Sequence, residues 1–298
     1  MLARLDRAAH CSRDLDTPGA FRHGGGTSIF VAVNSTRGVR TRNRFDREIL
    51  ALALPALGAL AADPLVSIVD TIFVGRLGVL PLAALGVNTS IFSMAFVVFN
   101  FLAYGTTPLV AREVGRGDTE SAGRVVVQAL VVAVLAGVVA VGTLQLFAGP
   151  ITAAMGARGE LQEASLSYLR IRAFAGPAVL IVTAGHGAFR GYLDTRTPLV
   201  VTIGLNLVNL VLDPLFIFGF GWGLEGAAIA TLIAQWIGAL WFVDLLLRRR
   251  REALGVSLRL PAMTDLLPFL RVGGELIVRT FALIGTLTLA TAIATRVG

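Results

Sequence analysis

Asn206-Leu-Val-Asn209-Leu-Val-Leu-Asp213-Pro214 is the stretch on which the reading of this chain turns. It lies inside Pro198 to Phe220, a run otherwise almost entirely apolar and long enough to cross a bilayer. At about 100° per residue, Asn206, Asn209 and Asp213 fall within roughly 60° of one another and form one polar stripe on a lipid-buried helix. An ionisable group at that depth costs ~2.5–3.5 kcal/mol on insertion scales, and it usually faces a protein interior or wet cavity on an ion or substrate path. The plain reading of the asparagines is an interhelical hydrogen bond, ~0.6 kcal/mol on average in a membrane. The aspartate ahead of a proline turns the reading towards function.

Composition points the same way. Of 298 residues 55% are hydrophobic and 15% charged, with a mean hydropathy of +0.76, which excludes an ordinary soluble domain. All 26 basic residues are arginine, which reads as a GC-rich genome rather than as chemistry. The net charge of +7 invites a nucleic-acid partner, but the arginines sit in the tail and in alternate loops, as membrane topology requires. A single cysteine, Cys11, permits neither an intrachain disulfide nor a thiolate metal site.

Residues 1–44 carry no sustained apolar period and read as a disordered basic tail; upstream sequence from a misplaced start is the other reading. Ile29 to Val33 is too short for a signal-peptide core. Seven hydrophobic spans follow, at approximately 48–74, 83–110, 125–147, 166–189, 198–220, 225–247 and 269–295. Nine arginines lie in the tail through Arg47, three between spans two and three, two between four and five, and six from Arg248 through Arg271. The opposite connections hold Arg76, Arg158 and, at the mouth of span four, Arg170 and Arg172. The positive-inside rule therefore predicts a cytoplasmic N-terminus and a multi-pass protein of the inner (plasma) membrane. The cluster Arg248–Arg251 reads as a stop-transfer anchor, with anionic lipid as the other reading.

The chain also repeats itself. Setting Gly298 on Gly78 aligns Thr295-Arg296-Val297-Gly298 with Gly75-Arg76-Leu77-Gly78 and puts Glu275 under Pro55. Span seven thus reads as the start of a second copy of span one, where the second lobe of a repeat-built transporter begins. A span with nothing after it reads as a fragment. The expectation is an all-α polytopic membrane protein: a tail over 1–44, a six-helix lobe over 45–250, then an interlobe loop and seventh helix over 251–298.

Other polar residues lie inside spans. Asp63 and Asp70, seven apart in span one, fall nearly on one helix face. A helix-end cap or a hydrogen bond to a nearby backbone is the bland reading, stronger for Asp63 because Pro64 frees a carbonyl. His186, the only histidine in a span, is more often a packed core residue than a ligand, yet it suits a proton partner. Arg279, about ten residues into span seven, calls for a carboxylate or water. Thr231 and Gln235, four apart in span six, either line the same cavity or belong to small-residue packing with Gly226, Ala227 and Ala230. No phosphate-cradling loop is present, so the chain is not expected to use ATP alone. An intramembrane aspartyl protease requires Tyr-Asp and Gly-x-Gly-Asp, whereas Val69-Asp70 and Leu212-Asp213 stand here; the chain is not expected to be an enzyme.

Leu54-Pro55, then Val69-Asp70-Thr-Ile-Phe-Val-Gly75-Arg-Leu-Gly78 and Ala83-Ala84-Leu, resemble the first helix region of multidrug and toxic-compound extrusion (MATE) transporters. Phe189-Arg190-Gly191 through Asp194-Thr-Arg-Thr-Pro198, Asn206 to Asp213-Pro214, and Gly223-Leu-Glu-Gly226-Ala-Ala-Ile-Ala-Thr231 resemble the fourth to sixth. Asp63-Pro64 and Arg279-Thr280 resemble the DNA-damage-inducible F (DinF) branch, which includes plant citrate exporters. The resemblance implies a twelve-helix antiporter of two six-helix lobes, driven by a proton or sodium gradient with no other cofactor and no bound metal. It implies cation coupling at Asp70, Asp213 and Asn209. The expected substrate cavity is lined by Asn206, His186, Thr231, Gln235, Asp63 and Arg279, between helices one, four, five and six. His186 departs from an asparagine found in some members. The expected function is export of small organic compounds such as drugs or toxic metabolites, with proton coupling ahead of sodium. An organic-acid exporter, a lipid-linked precursor flippase and an inactive truncated membrane protein are the alternatives. Expected partners are substrate, lipid bilayer, and a missing second lobe or a homodimer partner; nucleic acid is not among them.

Overall fold

Apolar runs of this length have no water to satisfy their backbone, so helix is the conformation open to them. The structure, a computed structural model, describes residues 39–249, 251–252, 254–256, 271, 273–275, 278–279, 282 and 286. The secondary structure of the described residues is helical throughout. By its contacts the chain divides into Met1–Arg44 and Phe45–Gly298. Of the stretch expected as tail, 1–38 lies outside the described residues, while α1 already begins at Val39. Most of the expected seventh span also lies outside them; 271, 273–275, 278–279, 282 and 286 are helical.

The elements are α1 (Val39–Gly75), α2 (Val79–Val97), α3 (Phe101–Gly115), α4 (Thr119–Leu146), α5 (Ala148–Ala154), α6 (Glu160–Ala173), α7 (Gly176–Gly191), α8 (Arg196–Pro214) and α9 (Gly223–Asp244). A single tight turn, Val98–Asn100, joins α2 to α3, and together they make one span, Val79–Gly115. With Ile49–Gly75, Thr119–Leu146, Arg196–Gly219 and Gly223–Arg248, five spans are long and apolar enough to cross a membrane. The pair α6 and α7, bent by 51°, passes the same test only when its two helices are taken together, and counted as one span it makes a sixth. Pro177 explains that break: without an N–H it cannot bond the Ala173 carbonyl, so α6 ends and α7 restarts with proline in its first turn. Pro214 acts similarly at the end of α8, where Leu215–Gly219 widens into a π turn closed by Phe220 N–H to Leu215 C=O at 2.9 Å.

Between helices in lipid the attraction comes from close packing rather than from expelling water, so small residues decide which faces meet. The centre of the bundle is α7, packed against α3, α4 and α9. A Cβ on Gly137 of α4 would stand 2.4 Å from Pro177 Cα, and one on Gly187 of α7 would stand 3.0 Å from the Ala103 carbonyl oxygen. Phe101, Leu102, Val110, Val126, Leu180, Phe189 and Phe242 fill the core around this crossing. By contrast α1 touches little: 6% of its apolar window is buried, against 44% for α4.

Two ties hold one end of the bundle. Asp118 caps α4, accepting the Ser121 N–H at 2.9 Å, and its hydrogen bonds to Ser121 hold its carboxyl below the usual range. The Tyr192 hydroxyl donates to the Leu254 carbonyl at 2.7 Å, and burial pushes this phenol up to about 12, so it remains a donor.

Candidate functional site

Thr202, Asn206, Asn209 and Asp213 recur on α8 at intervals of four, three and four, which puts them on one face. All four are buried, Asp213 completely. Each reaches a polar group on its own or another helix. Thr202 Oγ1 lies 3.1 Å from His186 Nε2 on α7, and Asn206 Nδ2 donates to Asp63 Oδ1 on α1 at 2.9 Å. Asn209 Nδ2 divides its donation between Asp213 Oδ1 at 3.3 Å and Thr231 Oγ1 on α9 at 3.4 Å. The Thr231 hydroxyl in turn donates to the Ala227 carbonyl at 2.9 Å. The Asp70 and Asp213 carboxyls meet within hydrogen-bonding range. Asn209 thus joins Asp213 to Thr231, while Asp70 reaches Asp213 directly.

Among the described residues neither Asp70 Oδ1 nor Asp213 Oδ2 meets a protein donor, although both atoms are buried. Two carboxylates accept only, so one proton or one small cation between them is the simplest way to satisfy both.

Two cavities open on this stripe. The larger, about 300 Å³, is lined by Asp63, Ser67, Asp70 and Thr71 of α1, Leu85, Thr89, Phe92 and Ser93 of α2, Tyr168 and Arg172 of α6, and Asn206, Asn209, Thr231 and Gln235 of α8 and α9. The second, about 230 Å³, holds Asn100, Tyr104, Thr183, His186, Arg190 and Thr202. Asp63, Val179, Leu205 and Gln235 line both.

Asp63, Asp70, Asn206, Asn209, Thr231 and Gln235 therefore gather at the first cavity, with Asp213 behind them. His186 belongs to the second, edge-on to Phe242 with ring centres 5.3 Å apart. Arg279 is helical and exposed and lines neither. The first cavity also takes a wall from α2, beyond the four helices expected. Thr89, Ser93, Tyr168 and Arg172 were missed. The only signal for Arg172 was its place one turn after Tyr168; counting loop charges put it at the mouth of span four. The bend between α6 and α7 was not in the pattern.

A bundle of membrane-spanning helices with carboxylates and amides around an internal cavity is the architecture of a polytopic transporter lobe. The MatE family model matches residues 55–215. Protein DETOXIFICATION 44, chloroplastic, of Arabidopsis thaliana is 37% identical over 266 residues, covering 84% of this chain and 50% of its own length. Protein DETOXIFICATION 43 of the same plant is 32% identical over 331 residues, covering 91% and 62%. The crystal structure of MATE in the bent conformation superposes with a TM-score of 0.76 at 27% identity, over 85% of this chain and 57% of that one. The chain belongs to the MATE family of membrane transporters and is a multi-pass membrane protein, not an enzyme. It spans between 50% and 62% of the length of these curated relatives.

Proposed function

We propose that residues 45–250 form the first lobe of a cation-coupled antiporter that exports small organic compounds such as drugs or toxic metabolites. In this reading 251–298 lead into a second lobe, the N-terminus is cytoplasmic in the plasma membrane, and the acid–proline and Arg-Thr pairs mark a DinF-like branch. Asp70, Asp213 and Asn209 are the coupling site, with the proton ahead of sodium.

The observation that supports it is the contact of the Asp70 and Asp213 carboxyls, each with a buried oxygen lacking a donor. Two like charges in one narrow cavity do not both ionise without cost, so the pair titrates as a unit. With both ionised the cavity attracts a cation; a proton on the pair weakens that attraction, so proton and cationic substrate compete for one charge. Pro214, next in the chain to Asp213, leaves a carbonyl free and permits a bend, which links protonation to helix shape. Sodium is the other candidate, since carboxylate and amide oxygens suit a hard cation. An organic-acid exporter is the second reading, and the Arg172 guanidinium in the cavity favours it.

The test is uptake of a cationic dye into inverted vesicles that carry the intact two-lobe transporter, under imposed proton or sodium gradients. Asp70→Asn and Asp213→Asn each lose gradient-driven uptake by at least about tenfold, while the proteins remain folded. Undiminished uptake in the double variant, under both gradients, excludes this site.

A further inference from the structure

The charge that the coupling reading leaves unused is Arg172, in the last turn of α6. Its guanidinium carbon stands 5.2 Å from the centre of the Phe92 ring, and the Tyr168 hydroxyl one turn earlier lies against it. Both neighbours line the larger cavity beside it. Asp70 is within electrostatic reach, yet among the described residues Arg172 forms no ion pair within 4 Å. A guanidinium seated over an aromatic ring with one phenol beside it has five N–H donors to place, and those that Tyr168 does not occupy form a planar fork matched to a carboxylate. Keeping a half-buried cation without a bonded anion is costly unless something else supplies the anion.

We propose that Arg172 is an anion subsite of the transport cavity, and that the ligands it favours are zwitterions. Their cationic group faces Asp70 and Asp213, and their carboxylate is held by Arg172. This rests on the coupling reading above. When the carboxyl pair shares one proton it carries one negative charge, and Arg172 carries one positive charge in the same cavity of about 300 Å³. A simple monocation is repelled by Arg172 and a simple anion by the pair; a molecule bearing both charges meets an opposite charge at each end. Arg172 is then a specificity-determining residue, distinct from the coupling carboxylates.

A matched pair of dyes tests this. Rhodamine 110 bears a free carboxylate beside its cationic ring system, and rhodamine 123 is its methyl ester, a plain cation. Binding of each to the purified full chain in nanodiscs is followed by fluorescence anisotropy. The expected result is that the wild type binds rhodamine 110 at least about tenfold more tightly than rhodamine 123. Arg172→Gln abolishes the preference by weakening rhodamine 110 and strengthening rhodamine 123, and Arg172→Lys restores part of it. Equal affinities in the wild type, an equal loss of both dyes in Arg172→Gln, or no binding of either dye overturns the proposal. The coupling reading fails by a different result: both affinities unchanged in the Asp70→Asn, Asp213→Asn double variant, whatever the wild-type ratio.

Discussion

Asp213 has no exposed surface and one protein donor, the Asn209 amide, which it shares with Thr231. Among the described residues its second oxygen meets no donor, and the Asp70 carboxyl is close by. In a buried site an orphaned acceptor costs more than a made hydrogen bond gains. A proton or a cation shared by the pair satisfies both oxygens, and in the reading proposed above that proton is the one exchanged. Asp213→Asn supplies a permanent N–H in place of that proton. We expect it to raise stability by about 0.5–1.5 kcal/mol under alkaline conditions and to flatten the dependence of Tm on pH. Thermal unfolding of the two proteins across a pH series checks this; a lower alkaline Tm for the variant contradicts it.

Among the helices, α1 stands apart. It carries Asp63 and Asp70 into the cavity wall, but it has few packing contacts and is interrupted by Pro55 and Pro64. Besides the Asp70–Asp213 contact, its ties to α8 include the Asp63–Asn206 bond at 2.9 Å and the approach of Gly58 to Leu199. Proline in a helix interior removes one backbone bond and lowers the resistance to bending. The polar tie should therefore set how closely α1 holds to α8. Asn206→Ala on a Cys11→Ser background, with spin labels at Leu57 and Val200, should broaden the distance distribution between the two helices relative to the native asparagine. Both label sites are exposed, so the labels need not disturb the packing. An identical distribution would show that packing alone holds α1.

At the scale of the whole molecule, crossing the bilayer an even number of times returns the chain to the side it left. With the bent pair counted as one, six spans put residues 45–48 and Arg249 on the same side, with the Arg112–Arg124 and Arg190–Arg196 connections beside them. The arginine excess in these segments argues that this side is the cytoplasm. The expected outcome is that a cysteine placed at Arg158, between α5 and α6, reacts with an impermeant maleimide from outside intact cells, whereas one at Gly117 does not. The reverse pattern would invert the topology.

The helical character and the order of the first six expected spans were legible in the sequence, the fourth as a bent pair, because lipid imposes one rule on every spanning segment, and that rule is local. The polar stripe of α8 was legible for the same reason: Thr202 apart, Asn206, Asn209 and Asp213 stood out in an apolar run with helical spacing. Three features depended on tertiary structure. Span four is bent by 51° at Pro177, and Arg172, just before the bend, lines the cavity rather than standing at the mouth. His186 pairs with Thr202 in a second cavity, because α7 is centred against α3, α4 and α9. Asp70 and Asp213, 143 residues apart in the chain, meet directly. Periodicity tells which face of a helix is polar, since that depends on one helix alone. Which polar faces meet depends on how closely several helices can approach, and only their packed arrangement decides it.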